Sequence, residues 1–126
     1  MTAQEAVARY YDAWQNRQGD LSDVPLAEGF EFKGPVASFD SAEGFRAMAA
    51  EAGQAVTSFS VRRQFNDGDT VCSIIDWEMA IPGVGPMTSA ELLEVRDGVI
   101  VSGELIYDAE ELRRATADSA AAGADG

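Results

Sequence analysis

The chain has 126 residues, with 22 acidic and 9 basic side chains, no histidine and a formal net charge of −13. Nucleic acids and anionic membrane surfaces are disfavoured as partners, because phosphate groups are bound by clustered lysine and arginine. Without histidine there is no imidazole metal ligand and no Ser-His-Asp or Cys-His catalysis, so proton transfer must use carboxylates, tyrosine, lysine or water. We therefore expect no metal and no cofactor.

The first half of the chain predicts helices. Thr2 and Glu5 form a capping-box pattern that opens a helix over residues 3–16, and residues 21–27 follow as a short second helix or a turn. Alternating apolar and polar residues predict a short strand over 30–33, which Gly34-Pro35 ends.

A further helix begins at Asp40, with Glu43 in its first turn, and Gly53 is placed to end it. Beyond it the pattern changes to segments rich in Val, Ile and aromatic residues, separated by turn sequences. These predicted strands are 56–65, 70–81, 87–96 and 99–107, which together form an antiparallel meander.

The chain ends with a predicted short helix over 108–116 and a tail, 117–126, that contains only Ala, Gly, Asp and Ser. The tail has nothing large to bury, so we expect it to be disordered, although its Ala-rich residues would also allow the helix to continue by a turn. Residues 1–116 are expected to form one domain. There is no basic leader and no apolar run approaching the ~18 residues that span a bilayer, which favours a cytoplasmic protein. Helices followed by strands predict an α+β fold.

Several segments together resemble the nuclear transport factor 2-like superfamily and, within it, the SnoaL-like group. They are Val7–Trp14, Phe30–Pro35, Ser41–Phe45, Leu92–Ile100 and Tyr107-Asp108. Ketosteroid isomerases, limonene epoxide hydrolases and polyketide cyclases share that fold. The resemblance implies a cone, in which a curved antiparallel or mixed sheet wraps around the N-terminal helices and encloses an apolar cavity. Function in such a fold depends on the few polar residues that face the cavity.

Strand alternation does not decide which face of the predicted strand 70–81 lines the cavity, because both of its faces carry apolar residues. The resemblance favours the face that bears Ile74, Asp76 and Glu78 as the cavity side. Asp76 matches the water-activating aspartate of limonene epoxide hydrolases, but Ile74 stands where their arginine is expected and Leu105 where their second aspartate is expected.

Compared with ketosteroid isomerases, Tyr10 aligns with the oxyanion-hole tyrosine and Glu91 with the protonated carboxylic acid beside it. The position of their general base falls on Gly34, so such a reaction would need another base, such as Asp76. Polyketide cyclases of the SnoaL-like group commonly use a histidine that this chain lacks. Carboxylates that share an apolar pocket raise each other's pKa values, which could poise one as acid and one as base.

The resemblance and the residue pattern together give one candidate site. Its predicted catalytic residues are Asp76, Glu91 and Tyr10. The predicted ligand-binding residues are Trp14, Phe30, Phe32, Lys33, Phe45, Ile74, Glu78, Leu93, Leu105 and Tyr107.

The leading hypothesis is a cofactor-free enzyme that applies carboxylate acid/base catalysis to a small apolar, cyclic or polyketide-like molecule, as isomerase, cyclase, dehydratase or hydrolase. The alternatives are a non-catalytic domain that binds a small molecule, and an association module whose cavity is filled by Phe and Leu. An apolar outer sheet face, predicted to carry Ile75, Trp77, Leu92 and Ile106, would make the protein a homodimer.

Overall fold

The computed structural model describes residues 2–125 as three helices and one six-stranded sheet. The elements in chain order are α1 Ala3–Asn16, β1 Leu26–Lys33, β2 Ser38–Phe39, α2 Ala42–Ala52, β3 Val56–Asp67, β4 Thr70–Met79, β5 Met87–Arg96, β6 Val99–Ile106 and α3 Glu110–Asp125. The predicted α+β class is confirmed. Within the described residues, no helix is long and apolar enough to cross a membrane.

The sheet has the strand order β2-β1-β6-β5-β4-β3. β3 to β6 pair antiparallel with their neighbours in sequence, as the predicted meander requires, whereas β1 pairs in parallel with β6. The sheet is therefore mixed and open. Its inner face packs against α1, whose buried side chains are Ala6, Val7, Tyr10, Tyr11 and Ala13.

The predicted helix α1 is confirmed with the expected bounds, and the Thr2 side chain accepts a hydrogen bond from the Glu5 backbone N–H at 3.1 Å. No helix forms over residues 21–27; a turn is followed by β1, which begins at Leu26. Pro25 disfavours a helical conformation in the residue before it, and its carbonyl accepts a hydrogen bond from Ile100 at 2.8 Å. Pairing with β6 therefore decides the conformation of this segment.

Two glycines allow the chain at the ends of α1 and α2 to pack closely. Gly19 adopts a φ of +79°, and a Cβ atom there would lie 2.1 Å from the Ala49 carbonyl oxygen. Gly53 ends α2 as predicted, but with a helical φ of −60°. Its Cβ would lie 1.9 Å from the Gln18 carbonyl oxygen, so close backbone packing is the reason for glycine there.

The structure modifies two other predicted boundaries. Ser41 caps α2 instead of Asp40, since its hydroxyl accepts a hydrogen bond from the Gly44 N–H at 3.1 Å. Helix α3 extends to Asp125, through most of the segment 117–126 that the sequence assigned to a tail, and Gly126 lies outside the described residues.

The register between β3 and β4 shifts twice, between Val56 and Ser58 and between Val61 and Arg63. Val61 pairs with Ile75, but Arg63 pairs with Ile74, so Arg62 is the additional residue of a β-bulge. Arg62 lies on the outer face of the sheet, where its guanidinium bonds both carboxylate oxygens of Asp76.

Candidate functional site

An apolar cavity of about 170 Å³ lies between the inner face of the sheet, the helices and the loop after β1. It is lined by Tyr10, Trp14, Pro35, Val36, Ala37, Phe39, Met48, Ala52, Val56, Phe59, Ile75, Trp77, Met79, Glu91, Leu105, Tyr107 and Leu112. An apolar cavity of ~150 Å³ accommodates benzene, so this one has room for a small molecule. The alternative of an association module, whose cavity would be filled by Phe and Leu, does not fit this open volume.

Glu91 provides the carboxylate of the cavity. It lies in the middle of β5, between Ser73 of β4 and Leu105 of β6, and only 3% of its surface is exposed. The Tyr10 hydroxyl donates a hydrogen bond to Glu91 Oε2 at 2.9 Å, and the Tyr11 hydroxyl donates one to Oε1 at 3.0 Å. Each carboxylate oxygen therefore has a tyrosine donor from α1.

Burial determines the protonation of this cluster. Removal from water raises the pKa of the Glu91 carboxyl to about 7, because the two tyrosine hydrogen bonds, which lower it, only partly offset the loss of hydration. Burial, with the neighbouring Glu91 charge, also raises the pKa values of Tyr10 and Tyr11 well above their usual range. Both tyrosines are thus neutral donors near pH 7, while Glu91 is able to gain or lose a proton.

Aromatic side chains form much of the remaining wall. Trp14 stacks on Phe59 with ring centroids 6.1 Å apart, and Trp77 meets Tyr107 edge-on at 5.3 Å. The Trp77 indole N–H donates to the Ser89 hydroxyl at 2.6 Å, which fixes the orientation of that ring. Both tryptophans of the chain therefore line the cavity.

Five of the predicted site residues lie on the cavity wall. They are Tyr10, Trp14, Glu91, Leu105 and Tyr107. Tyr10 and Glu91 are in direct contact, as their predicted roles require.

The predicted position of Asp76 inside the cavity is wrong. Asp76 pairs with Thr88 across β4 and β5 on the outer face of the sheet, where the Arg62 Nε–H donates to Oδ2 at 2.9 Å and the Thr88 hydroxyl donates to Oδ1 at 2.9 Å. These bonds, Arg62 first, lower the pKa of the Asp76 carboxyl. It is a solvated, ion-paired group that cannot reach a molecule in the cavity.

Ile74 and Glu78 share the outer face with Asp76, so their predicted contact with a ligand is also wrong. The cavity face of β4 carries the alternate set, Val71, Ser73, Ile75, Trp77 and Met79. Ile75 and Trp77 were predicted for the outer face and lie on the inner one.

The remaining predicted ligand-binding residues lie away from the cavity wall. Phe30, Phe45 and Leu93 are fully buried in the core, where Phe45 contacts Phe30 with ring centroids 5.0 Å apart. Phe32 and Lys33 lie at a separate groove between β1, β2 and β6, and Lys33 is exposed. The core beside the cavity is therefore made by the phenylalanines that were predicted to line it.

The sequence analysis missed Tyr11, the second hydrogen-bond donor to Glu91, as well as wall residues such as Phe59 and Trp77. Adjacent helical residues point about 100° apart, so a single ligand-facing stripe on α1 would include Tyr10 and exclude Tyr11. The adjacent tyrosines could have indicated this role, because a buried carboxylate has two oxygens and can accept a hydrogen bond from each hydroxyl. Across the part of the chain that the structure describes, no three Asp, Glu or Cys side chains group as metal ligands do.

Comparison with known proteins agrees with this architecture. The family model described as "SnoaL-like domain" matches residues 7–103. No curated protein matches the sequence.

Solved structures resemble most of the chain. A protein from Kribbella flavida DSM 17836 is 26% identical, with a TM-score of 0.77 over 91% of this chain and 93% of its own. An NTF2-like protein of unknown function from Cytophaga hutchinsonii ATCC 33406 is 21% identical, with a TM-score of 0.76 over 89% and 95%. A putative SnoaL-like polyketide cyclase from Jannaschia sp. CCS1 is 17% identical, with a TM-score of 0.72 over 90% of both chains. The fold is that of the nuclear transport factor 2-like cone, and the chain belongs to the SnoaL-like domain family.

Proposed function

We propose that this protein is a cofactor-free enzyme in which Glu91 exchanges a proton with a small apolar molecule held in the cavity. Isomerisation, cyclisation, dehydration and hydrolysis all include such a proton transfer. The observation that supports the proposal is a single buried carboxyl group, with a pKa of about 7, that opens onto an apolar cavity. A general acid or base is most effective when its pKa lies near the working pH.

The hydrogen bonds around Glu91 suggest how charge is handled during proton transfer. Ionised Glu91 is stabilised by both tyrosine hydroxyls. When the carboxylate takes a proton from the substrate, it loses its negative charge and binds the Tyr10 hydroxyl less strongly. Because Tyr10 also lines the cavity, its hydroxyl can then donate to an oxygen of the substrate that becomes negative.

Exchange of carbon-bound hydrogen for deuterium tests this proposal without knowledge of the natural substrate. In D₂O, we expect the wild-type protein to accelerate exchange at the α-carbons of cyclohexanone, a ring of suitable size, as measured by NMR or mass spectrometry. Glu91→Gln should lower the catalysed rate by about 10²-fold or more, because the amide cannot accept the proton. Glu78→Gln, which changes an exposed carboxylate on the outer face, is the control and should keep the wild-type rate.

A catalysed rate that is unchanged in Glu91→Gln would remove Glu91 from the chemistry. The second candidate, a non-catalytic binding domain, is favoured by the fact that both Glu91 oxygens already accept hydrogen bonds from the protein. Saturable binding of cyclohexanone with no exchange above the buffer rate would support that alternative.

We also propose that the protein forms a homodimer through the outer face of the sheet. Strand pairing brings six side chains together there, and we call this set the outer patch: Phe65, Cys72, Ile74, Ala90, Leu92 and Ile106. Phe65 and Ile106 are 48% and 52% exposed, and Arg63 lies over the Phe65 ring at 4.9 Å. Two of the four residues predicted for this surface, Leu92 and Ile106, belong to it. A second copy of the chain would cover the exposed apolar area.

Light scattering after gel filtration tests the dimer. We expect twice the chain mass for the wild-type protein at micromolar concentration. Ile106→Glu should give the monomer mass, because it adds a charge to the outer patch of both copies. Gln4→Glu adds the same charge at an exposed position on α1 and should remain dimeric. A monomeric wild-type protein would contradict the proposal.

A further inference from the structure

We propose that the ligand of the cavity is a small organic ammonium ion, which is held between aromatic side chains with Glu91 as its counter-charge. This inference rests on the cavity being the ligand site of the proposed function, but it does not require turnover. It goes further by naming the chemical class of the ligand: the apolar groups that the proposed function places in the cavity are the substituents of a positively charged nitrogen.

The electrostatic environment of Glu91 favours a cationic ligand. In the part of the chain that the structure describes, ion pairs join Arg17 to Asp23, Arg62 to Asp76 and Arg114 to Glu110, and none of them includes Glu91. The residues that line the cavity include no lysine or arginine. A buried carboxylate needs a compensating charge, and the two tyrosines supply only neutral donors. A cation in the cavity would supply it.

The aromatic composition of the cavity wall also favours a cationic ligand. Six aromatic side chains line the cavity: Tyr10, Trp14, Phe39, Phe59, Trp77 and Tyr107. The faces of aromatic rings attract cations, tryptophan most strongly, and aromatic cages are the usual protein sites for quaternary ammonium groups. The Trp14–Phe59 and Trp77–Tyr107 pairs therefore suit a positive group better than they suit an anion.

The size and polarity of the cavity indicate which ammonium ions it can hold. The cavity of about 170 Å³ accommodates a group with a few methyl substituents, and apart from Glu91 its surface is mostly apolar. An unsubstituted ammonium group would bury several N–H donors that have few acceptors there. A tertiary or quaternary ammonium group has one N–H or none, so its methyl groups can contact the apolar wall while its charge faces Glu91.

The pH dependence of binding follows from the groups around Glu91. Tyr10 and Tyr11 face it from α1 and stay neutral between pH 5 and 9, because their pKa values are raised. Ser73 and Leu105, on the flanking strands, do not titrate. Tyr107 is neutral in this range, because burial raises its pKa by more than the nearby Arg113 of α3 lowers it. The other lining residues, from α2, β3 and the loop after β1, carry no ionisable side chain. Glu91 is therefore the group whose ionisation changes the affinity for a cation.

Choline and 3,3-dimethylbutan-1-ol are suitable probes, because they share a shape and differ in the positive charge. Binding is measured by calorimetry and by tryptophan fluorescence, to which only Trp14 and Trp77 contribute. At pH 8 we expect choline to bind the wild-type protein at least about tenfold more tightly than the alcohol. The affinity for choline should fall about tenfold for each pH unit below the Glu91 pKa of about 7, whereas the affinity for the alcohol should not fall.

Two variants compare the effect of the Glu91 charge in the cavity with that of a carboxylate charge on the outer face. Glu91→Gln should weaken choline binding by about 30-fold or more and leave the alcohol within about threefold. Glu78→Gln removes the same charge from the outer face and should preserve the preference for choline. Circular dichroism of both variants checks that they are folded.

The outcomes distinguish this inference from the proposed function. If the alcohol binds as tightly as choline at pH 8, or if the preference survives in Glu91→Gln, the ammonium inference is wrong while the cavity remains a ligand site. If neither probe binds, the ammonium inference is wrong and the cavity loses its support as a site for small ligands. Preferential binding of choline that depends on Glu91 supports the inference. If cyclohexanone also binds saturably but shows no deuterium exchange above the buffer rate, the catalytic proposal is contradicted.

Discussion

The wild-type protein is expected to lose about 3 kcal/mol of folding free energy through Glu91 as the pH rises from about 4.5 to 8, and Glu91→Gln is expected to lack this contribution. The reason is that burial raises the pKa of the Glu91 carboxyl from 4.5 to about 7 in the folded protein. A change of one pKa unit corresponds to about 1.4 kcal/mol.

The direction follows from proton linkage. Between pH 4.5 and 7 the folded protein holds the Glu91 proton and the unfolded chain has released it, so the folded state binds more protons. Stability then decreases with rising pH in this window and is constant above it, as far as this group is concerned. The usual native carboxylate has a lowered pKa and shows the opposite slope.

Urea unfolding of both proteins at several pH values between 4.5 and 8 measures the effect. The difference in unfolding free energy between wild type and Glu91→Gln isolates the Glu91 contribution, because both chains share every other titrating group. A difference that stays constant across this range would show that Glu91 titrates near its ordinary pKa, and the acid/base role proposed for it would lose its physical basis.

Replacing Gly53 by alanine is expected to destabilise the protein by about 3 kcal/mol or more. The new Cβ would lie 1.9 Å from the Gln18 carbonyl oxygen and 2.3 Å from its carbonyl carbon. These are backbone atoms, so the clash cannot be relieved by a change of side-chain rotamer. The ends of α1 and α2 would have to separate, and both helices contribute side chains to the cavity wall.

Gly29→Ala is the matched control. Gly29 lies in β1, and a Cβ there would meet no atom within 4 Å. Alanine also restricts the unfolded chain, so we expect unchanged or slightly increased stability. Thermal or urea unfolding measures both variants. Equal stability of the Gly53→Ala and Gly29→Ala proteins would mean that the close contact between the two helix ends does not constrain the fold.

Much of the fold could be predicted from the residues. The capping box and helical spacing gave α1 its bounds, and turn sequences such as Asp97-Gly98 gave the strands of the meander to within two residues. β1 was predicted four residues short, and β2 was not predicted. Strand β2 has only two residues, and β1 begins at Leu26 because this residue pairs with Ile100 of β6, which is distant in sequence. Such pairing leaves no local pattern.

The candidate site was half predicted, and the reason lies in the register of one hairpin. Ser73 of β4 pairs with Glu91 of β5, so every odd-numbered residue of β4 pairs with an odd-numbered residue of β5, and every even-numbered residue with an even-numbered one. Asp76 is even and Glu91 is odd, so they lie on opposite faces of the sheet. The loop of Pro and Gly residues between these strands does not define the register, and both faces of β4 carry apolar residues. Only the paired strands reveal which face belongs to the cavity.

The extra residue Arg62 divides β3 into two segments that serve different surfaces. Phe59 and Phe65 are six residues apart and would share one face of a regular strand, because six is an even number. The bulge reverses the alternation between them. Phe59 consequently reaches the cavity wall opposite Trp77, while Phe65 joins the outer patch opposite Cys72. One irregularity in the backbone thus allows a single strand to contribute an aromatic ring both to the proposed ligand site and to the proposed dimer interface.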